Sequence, residues 1–408
     1  MRLLVVYRGL PWPYSEGYHL RILHLFSRLA KRHEVHLLAL VQNAEQRAKL
    51  EPLEEQKIFS SITMLDVPKR SGVGRLRTNL GLGPVSAFRS EYAGFDIRVA
   101  EETEKLVTQH KIDAAYVFDP WADLWFRSGA KVIPTLLDVC DCRTLFYDRH
   151  LDRGGLSLME GLRTRQLRRR FLAFETFAMK LYPMATVVSP LDRERLKRMH
   201  PAGRVELIPN GVDLDMFQPV EGVEEIPGNL IIFGNMDFLP NVDAAIHFAR
   251  DILPLVRVRN PEATFTIVGT NPVPEILTLA GLPGVEVTGR VEDLKPFIQR
   301  ACMLVAPMRF GAGIKNKVLE SMAVEKPVVT NSTGVEAMHD EVRDLLVLAD
   351  EDQAFADAVS DLLDDPERRA KLGHHGREVM GRLHSWDTAA EAYERLFEEL
   401  AASKESSI

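Results

Sequence analysis

The chain has 408 residues, 46% of them hydrophobic and 27% charged, with a net charge of −7 at pH 7. That length exceeds one ordinary core, at roughly 100–200 residues per domain, and the composition is that of a globular protein. The negative charge gives no ground for bulk nucleic-acid binding, and three cysteines, Cys140, Cys142 and Cys302, are too few for a disulfide framework and fit a reducing compartment.

The chain opens on "MRLLVVY". This apolar run is too short for a signal-peptide core, and no segment approaches the ~20 apolar residues that span a bilayer. A cytoplasmic protein is expected, meeting any membrane from its surface. "LLVVY" reads as a first strand, and "YHLRILHLFSRLAKR" has its apolar residues at helical spacing. Strands are then expected at "VHLLALV", "ITMLDV", "AAYVF", "KVIPTLL", "ATVVS" and "RVELIP", with no clear element between Val67 and Ala100. The runs are continuously apolar rather than alternating, as in buried parallel sheets.

Within this half, "LLDVCDCRTLFYD" places Asp138, Asp141 and Asp148 after a strand. Asp138 or Asp141 is expected to position an acceptor hydroxyl or act as a base; the plainer alternative is a helix cap and a solvated acid. The Cys140–Cys142 pair falls short of the about four ligands of a zinc site; "DVCD" suggests a metal-binding D-x-D, but the fold implied below needs no metal, so none is expected. "RTRQLRRR" carries five arginines in Arg163–Arg170, and "DRERLKRMH" adds more basic residues. An anionic lipid surface attracts such clusters; the alternative is a solvated helix face. Nucleic acid has no aromatic or motif support.

At "IPNGVDLDMFQPVEGVEEIPG" prolines and glycines interrupt both periods, which predicts a linker over 211–228 between domains 1–210 and 229–384. The strand rhythm restarts with "NLIIFG", "TFTIVG", "VEVTG", "CMLVAP", "PVVT" and "LLVLA". "SWDTAAEAYERLFEELAASK" predicts a long C-terminal helix over 385–408 that packs back on the first domain. The expected fold is α/β: two Rossmann-like, doubly wound domains facing a cleft. Ligands of such sheets bind beyond the carboxyl ends of the strands, where Gly17, Gly234, Gly269 and Gly289 fall.

"FGAGIKNKVLE" has the strongest chemical content. A helix beginning near Ile314 offers unpaired N–H groups and a positive dipole end. Gly311 and Gly313 permit close backbone approach, and Lys315 and Lys317 add charge. Together they make a phosphate or diphosphate site. Glu320 shares a helical face with Lys317, and its two oxygens suit the vicinal hydroxyls of a ribose. The alternative is a glycine-rich turn with a weak surface pair. Neither G-x-x-x-x-G-K-[ST] nor G-x-G-x-x-G is present at the required places.

Taken together, "RGLPWPYSEGYHLRILHLFSRLAKRHEVHLLAL", "IPNGVDLDMFQP", "FGNMDFLPNVDAAIHFARDILPLVR", "VTGRVEDLKPFI" and "APMRFGAGIKNKVLESMAVEKPVV" give the chain a resemblance, from Met1 to about Leu400, to retaining GT-B glycosyltransferases of the glycogen-synthase-like group. Within it the chain looks most like bacterial exopolysaccharide sugar transferases of the PEP-CTERM/EpsH-associated sort. The resemblance implies a nucleotide-diphosphate sugar as donor, a saccharide or lipid-linked acceptor on the first domain, retention of configuration and no cofactor. It implies donor contacts from Glu320 at the ribose, from Arg290 and Val291 along the base, and from Gly17 near the donor phosphates; Gly313, Ile314, Gly234, Asn235 and Arg309 are further candidate donor contacts by their place at the strand ends and the helix start. The chain also departs from the family. The first of the family's paired glutamates would fall at Ala312, and the usual basic pair after the second domain's first strand is replaced around Asn235 and Asn241. Lys317 and Lys315 are therefore expected to meet the diphosphate charge that develops on bond breaking, with Arg309 and Arg290 in reserve. A non-catalytic nucleotide-sugar-binding protein and an epimerase of the same fold are the alternatives.

Overall fold

Two all-parallel sheets organise the described chain, one of seven strands and one of six. The structure is a computed structural model that describes residues 1–13, 17–69, 72, 92 and 94–405. The stretch from Val67 to Ala100, read above without a clear element, lies largely outside the described residues.

The chain divides into two units, Met1–Pro209 with the residues from Ala389 on, and Asn210–Thr388. In the first unit the sheet order is β3-β2-β1-β4-β5-β6-β7, built from β1 (Arg2–Tyr7), β2 (Glu34–Val41), β3 (Ser61–Asp66), β4 (Ala114–Phe118), β5 (Thr135–Cys140), β6 (Met184–Val187) and β7 (Arg204–Leu207). The order reverses on either side of β1, the doubly wound pattern. The expected "KVIPTLL" strand begins later, at Thr135, because Pro134 has no N–H for the ladder and Gly129–Lys131 turn as a 3₁₀ helix. One face buries Leu4, Val6, Leu38 and Leu40 against Phe95, Val99 and Leu106 of the helix Phe95–His110.

The second sheet runs β10-β9-β8-β11-β12-β13, with β8 (Asn229–Phe233), β9 (Thr264–Val268), β10 (Val285–Gly289), β11 (Met303–Ala306), β12 (Val328–Thr330) and β13 (Val347–Leu348). The residues 211–228, predicted as a linker, are tied into this unit. Val220 N donates to Gln299 Oε1 at 2.5 Å and Ile226 N to Arg300 O at 2.8 Å. Glu225 pairs with Lys326 at 2.9 Å and Arg369 at 2.7 Å.

Gly211 has a steric reason to be glycine. A Cβ there would meet Trp386 N at 2.5 Å, because Val212 N bonds His384 O at 2.7 Å and pairs with Ser385 as an isolated bridge. The last helix, Trp386–Glu405, places Tyr393, Leu396, Phe397 and Leu400 in buried positions. Its Glu394 bonds His33 at 2.6 Å and Arg32 at 2.7 Å within the first unit.

Candidate functional site

In the second unit the loops at the carboxyl ends of β8, β9 and β10 are drawn together at glycines. Gly234 N bonds Val268 O at 3.0 Å, and Gly269 N bonds Gly289 O at 3.1 Å. A Cβ on Gly269 would stand 1.8 Å from Gly234 O, so no other residue fits. Gly234 has φ +144°, and a Cβ there would meet Asn241 Nδ2 at 2.8 Å. Beside this backbone floor, the helix Asn316–Ala323 starts two residues after Ile314, the expected start. Gly313 has φ +67° and Lys315 is extended, which delays the first turn. No side chain caps this helix, so its first turn keeps its anion-binding character.

Lys315 turns back on its own loop, donating to Ala312 O and Gly313 O at 3.0 Å each. Lys317 is buried, and its Nζ donates to Asn241 Oδ1 at 2.5 Å. Asn241 Nδ2 donates in turn to Asn235 O at 3.0 Å, so one amide joins the β8 loop to the lysine. Burial, reinforced by the nearby Lys315 charge, brings the Lys317 ammonium down to about 7, against the pull of Glu320. Glu320 is half-buried, and its carboxylate accepts no hydrogen bond from any described residue. Desolvation pushes it up to about 7, with Lys317 acting the other way.

The remaining residues expected on the donor side divide by partner. Asn235 is exposed and its Oδ1 accepts from Thr270 Oγ1 and Asn271 Nδ2 at 3.3 Å each, which pins the β9 loop. Arg309 is clamped bidentately by Asp243 at 2.8 and 2.5 Å, which holds its guanidinium charged. Arg290 is exposed just past β10, and Val291 is half-buried against the core. Asn210, whose side chain was not singled out above, donates to Asn316 Oδ1 at 3.0 Å at the head of the site helix.

In the first unit, Gly17 opens the helix Gly17–Leu29. Asp138 does not match the placement of a base. It is fully buried in β5, and its Oδ2 accepts from Arg21 Nε, Tyr116 OH and Tyr393 OH, each at 2.7 Å. Its Oδ1 accepts from Cys140 N at 3.0 Å. Burial disfavours the Arg21 charge, yet Asp138 beside it holds the guanidinium well above its usual range. The sequence carries a signal for this cluster: Arg21 stands alone in the apolar stripe "HLRILHLF". Asp141 is half-buried just past β5. The helix Arg143–Asp152 is capped not by an aspartate but by buried Glu175, which accepts from Arg143 N at 2.6 Å and Thr144 Oγ1 at 2.5 Å.

A cavity of about 220 Å³ opens in this unit between Tyr7, Arg8, Phe118, Asp119, Arg143, Tyr147 and Phe171. It lies at the carboxyl ends of β1 and β4 and combines aromatic walls with two arginines. On the helix Leu158–Leu181, Arg163, Arg165 and Arg169 are exposed, whereas Arg168 joins Arg195 on Asp148. Leu158, Met159 and Leu162 at the head of this helix are also exposed. Among the described residues no helix is long and apolar enough to cross a membrane.

Two family models match the chain: "Glycosyltransferase Family 4" over residues 17–216 and "Glycosyl transferases group 1" over residues 227–365. An uncharacterized 44.6 kDa protein in the cps region of Klebsiella pneumoniae is 28% identical over 136 residues, covering 31% of this chain and 35% of that protein. The GDP-mannose-dependent alpha-(1-6)-phosphatidylinositol monomannoside mannosyltransferase of Mycobacterium tuberculosis is 29% identical over 228 residues, covering 51% of this chain and 59% of that one. The chain thus spans about a third and about three-fifths of these curated relatives. HepE of Anabaena, solved in complex with UDP and glucose, is 14% identical with a TM-score of 0.65 over 98% of this chain and 99% of that one, a likeness of fold. With one glycosyltransferase model matching residues 17–216, another matching residues 227–365, and two parallel-sheet units beneath them, the chain is similar to glycosyltransferases along both halves and has the GT-B fold.

Proposed function

We propose that the protein transfers a sugar, with retention, from a nucleotide-diphosphate donor to a saccharide or lipid-linked acceptor in polysaccharide or glycoconjugate synthesis. The observation that carries this reading is the Lys317–Glu320 pair. A desolvated lysine and a half-buried carboxylate without a hydrogen-bond donor flank an uncapped helix start at the glycine-rich ends of the strands. Both groups gain from a ligand that brings negative charge to Lys317 and hydroxyl donors to Glu320, which is the chemistry of a ribose diphosphate. Gly234, Gly313 and Ile314 form the floor of this site, Asn235 orders the β9 loop, and Arg290 and Val291 border the base. Arg309 is paired with the Asp243 carboxylate and Lys315 turns back on its own loop, whereas Lys317 has one neutral amide acceptor, so Lys317 carries the main charge toward the leaving group. Asp138 then acts by holding Arg21 in the first unit, and Asp141 is the carboxylate there within reach of solvent.

The acceptor reading draws on the first unit's cavity, whose aromatic walls suit sugar faces and whose Arg8 and Arg143 suit an anionic group. A lipid-linked acceptor accords with the phosphatidylinositol-linked substrate in the mycobacterial relative's name, and a polysaccharide role with the cps region of the other. Exposed Arg163, Arg165 and Arg169 beside Leu158, Met159 and Leu162 would let the protein work at the anionic cytoplasmic face of a membrane.

The test is turnover of UDP-, GDP- and ADP-sugars with saccharide and lipid-diphosphate acceptors, with the product's anomeric configuration read by NMR. Transfer with retention is expected. Nucleotide binding without turnover of any donor would favour a non-catalytic binder, and a changed sugar without transfer would favour the epimerase. Replacing Arg163, Arg165 and Arg169 by Gln is expected to weaken binding to anionic vesicles and not to neutral ones; equal binding by both proteins would remove the membrane role.

A further inference from the structure

Far from the carboxyl-end loops, two buried stripes of the first unit end in unusual residues. Along β2, the face carrying Leu40 and Leu38 continues to His36 and Glu34, since alternate residues share a face. Along the helix Phe95–His110, the buried stripe Phe95, Val99, Thr103, Leu106 continues at the next helical step to His110. The apolar residues of both stripes pack in one core. Both stripes therefore turn from apolar to ligating side chains at the same end of the unit.

Glu34, His36 and His110 meet there with one donor atom each, all within 4.8 Å of one another. The two imidazoles lie 4.1 Å apart with planes at 34°. His36 is 1% exposed, and its Nδ1 is 2.8 Å from Ser61 Oγ, its register partner on β3. Its Nε2 is buried 3.2 Å from Glu34 Oε1, out of hydrogen-bond geometry and with no other described partner. In the tautomer whose Nδ1–H donates to Ser61 Oγ, the Nε2 lone pair faces the other two ligands.

We propose that Glu34, His36 and His110 bind a divalent transition-metal cation of the zinc type, with water as fourth ligand. Two imidazoles and a carboxylate with donor atoms within 4.8 Å of one another suit such a cation, whose bonds are about 2.0–2.2 Å. The helix ends at His110, where its dipole favours positive charge. The metal ties the first residues of β2 to the end of the helix that leads into β4. It lies at the amino ends of the strands, away from Asp141 and the cavity at the carboxyl ends, so it braces the unit and takes no part in sugar transfer.

The test titrates Co²⁺ and then Zn²⁺ into the metal-stripped full chain, beside Glu34→Gln at an exposed position and His110→Gln at a half-buried one. One equivalent of Co²⁺ with the visible bands of a four-coordinate site is expected, displaced by Zn²⁺. Each variant should lose at least tenfold in affinity while keeping the wild-type circular dichroism spectrum. Ser61→Ala, which leaves the three ligands in place, should lose about tenfold through the freed His36 ring. Absence of the cobalt bands, or metal affinity unchanged in all three variants, would overturn the site. Should Glu34→Gln and His110→Gln fail to fold, the cobalt spectrum and the Ser61→Ala affinity decide.

Discussion

The Asp138 carboxylate of the first unit has its Oδ2 filled by Arg21, Tyr116 and Tyr393, whereas Glu320 of the second accepts from no described residue. Both acids have a cationic neighbour under protein cover. In the first pair every strong donor is spent inside the protein, since Arg21 also donates to Ile208 O at 3.1 Å and to Tyr393 OH at 2.7 Å. In the second, Lys317 has one neutral acceptor, Asn241, and its charge is held down by burial. A completed network serves the fold; an incomplete one costs stability and is kept where a ligand completes it.

Removing one partner of the completed network should have the largest effect. Asp138→Ala leaves the Arg21 charge buried without its acid, and a loss of about 3–5 kcal/mol in denaturant unfolding is expected. A loss near zero would show that Arg21 finds other acceptors and would remove the contrast.

Glu320→Ala should do the reverse. Unfolding stability should hold or rise, while nucleotide affinity falls by about 1.5–3 kcal/mol for the lost charged acceptor. Calorimetry showing unchanged nucleotide binding would reject the ribose assignment.

Lys317→Ala is expected to lower kcat more than it raises the donor KM, because leaving-group charge is greatest in the transition state. A double Lys315→Ala/Lys317→Ala variant with near-normal kcat would assign the diphosphate charge to Arg290, Arg309 or the helix end.

A pH signature is the last check. Glu320 at about 7, above the ordinary 4.5, holds a proton that the unfolded chain has lost, so on its account stability falls as pH rises from 4.5 to 7. Lys317 at about 7, below the ordinary 10.5, has lost a proton that the unfolded chain keeps, so stability recovers between 7 and 10.5. Melting curves should show this dip near pH 7 in the wild type and a flatter profile in Lys317→Met/Glu320→Gln. The same dip in both proteins would place its origin elsewhere.

The same contrast explains what the sequence revealed. Strands read well because buried parallel strands are unbroken apolar runs; "LLVVY" and "NLIIF" lie inside β1 and coincide with β8. The site helix was legible because glycines, lysines and a glutamate fall within one short stretch, so local spacing carries the chemistry. Arg21, Tyr393 and Glu175 were not legible in this way. Their partners lie 117, 255 and 32 residues away, as in Arg21–Asp138, Tyr393–Asp138 and Arg143–Glu175, and no local period reports such pairings. Local spacing leaves Asp138 open as a cap, a base or an acceptor-positioning acid for the same reason, since its donors come from distant elements. The 211–228 segment read as a linker because its backbone partners, such as Arg300 for Ile226, are on other elements of the second unit.

The central claim is that Lys317 and Glu320 await the diphosphate and ribose of a nucleotide. It is tested most directly by calorimetric titration of UDP, GDP and ADP at pH 8 in two buffers of different ionisation enthalpy. With its ammonium held near 7, Lys317 is mostly neutral at pH 8, so an arriving diphosphate should recharge it. The account predicts that one nucleotide binds with uptake of a proton, and that Lys317→Met abolishes the uptake and weakens binding. Binding by none of the three, or proton uptake that survives in Lys317→Met, would contradict it.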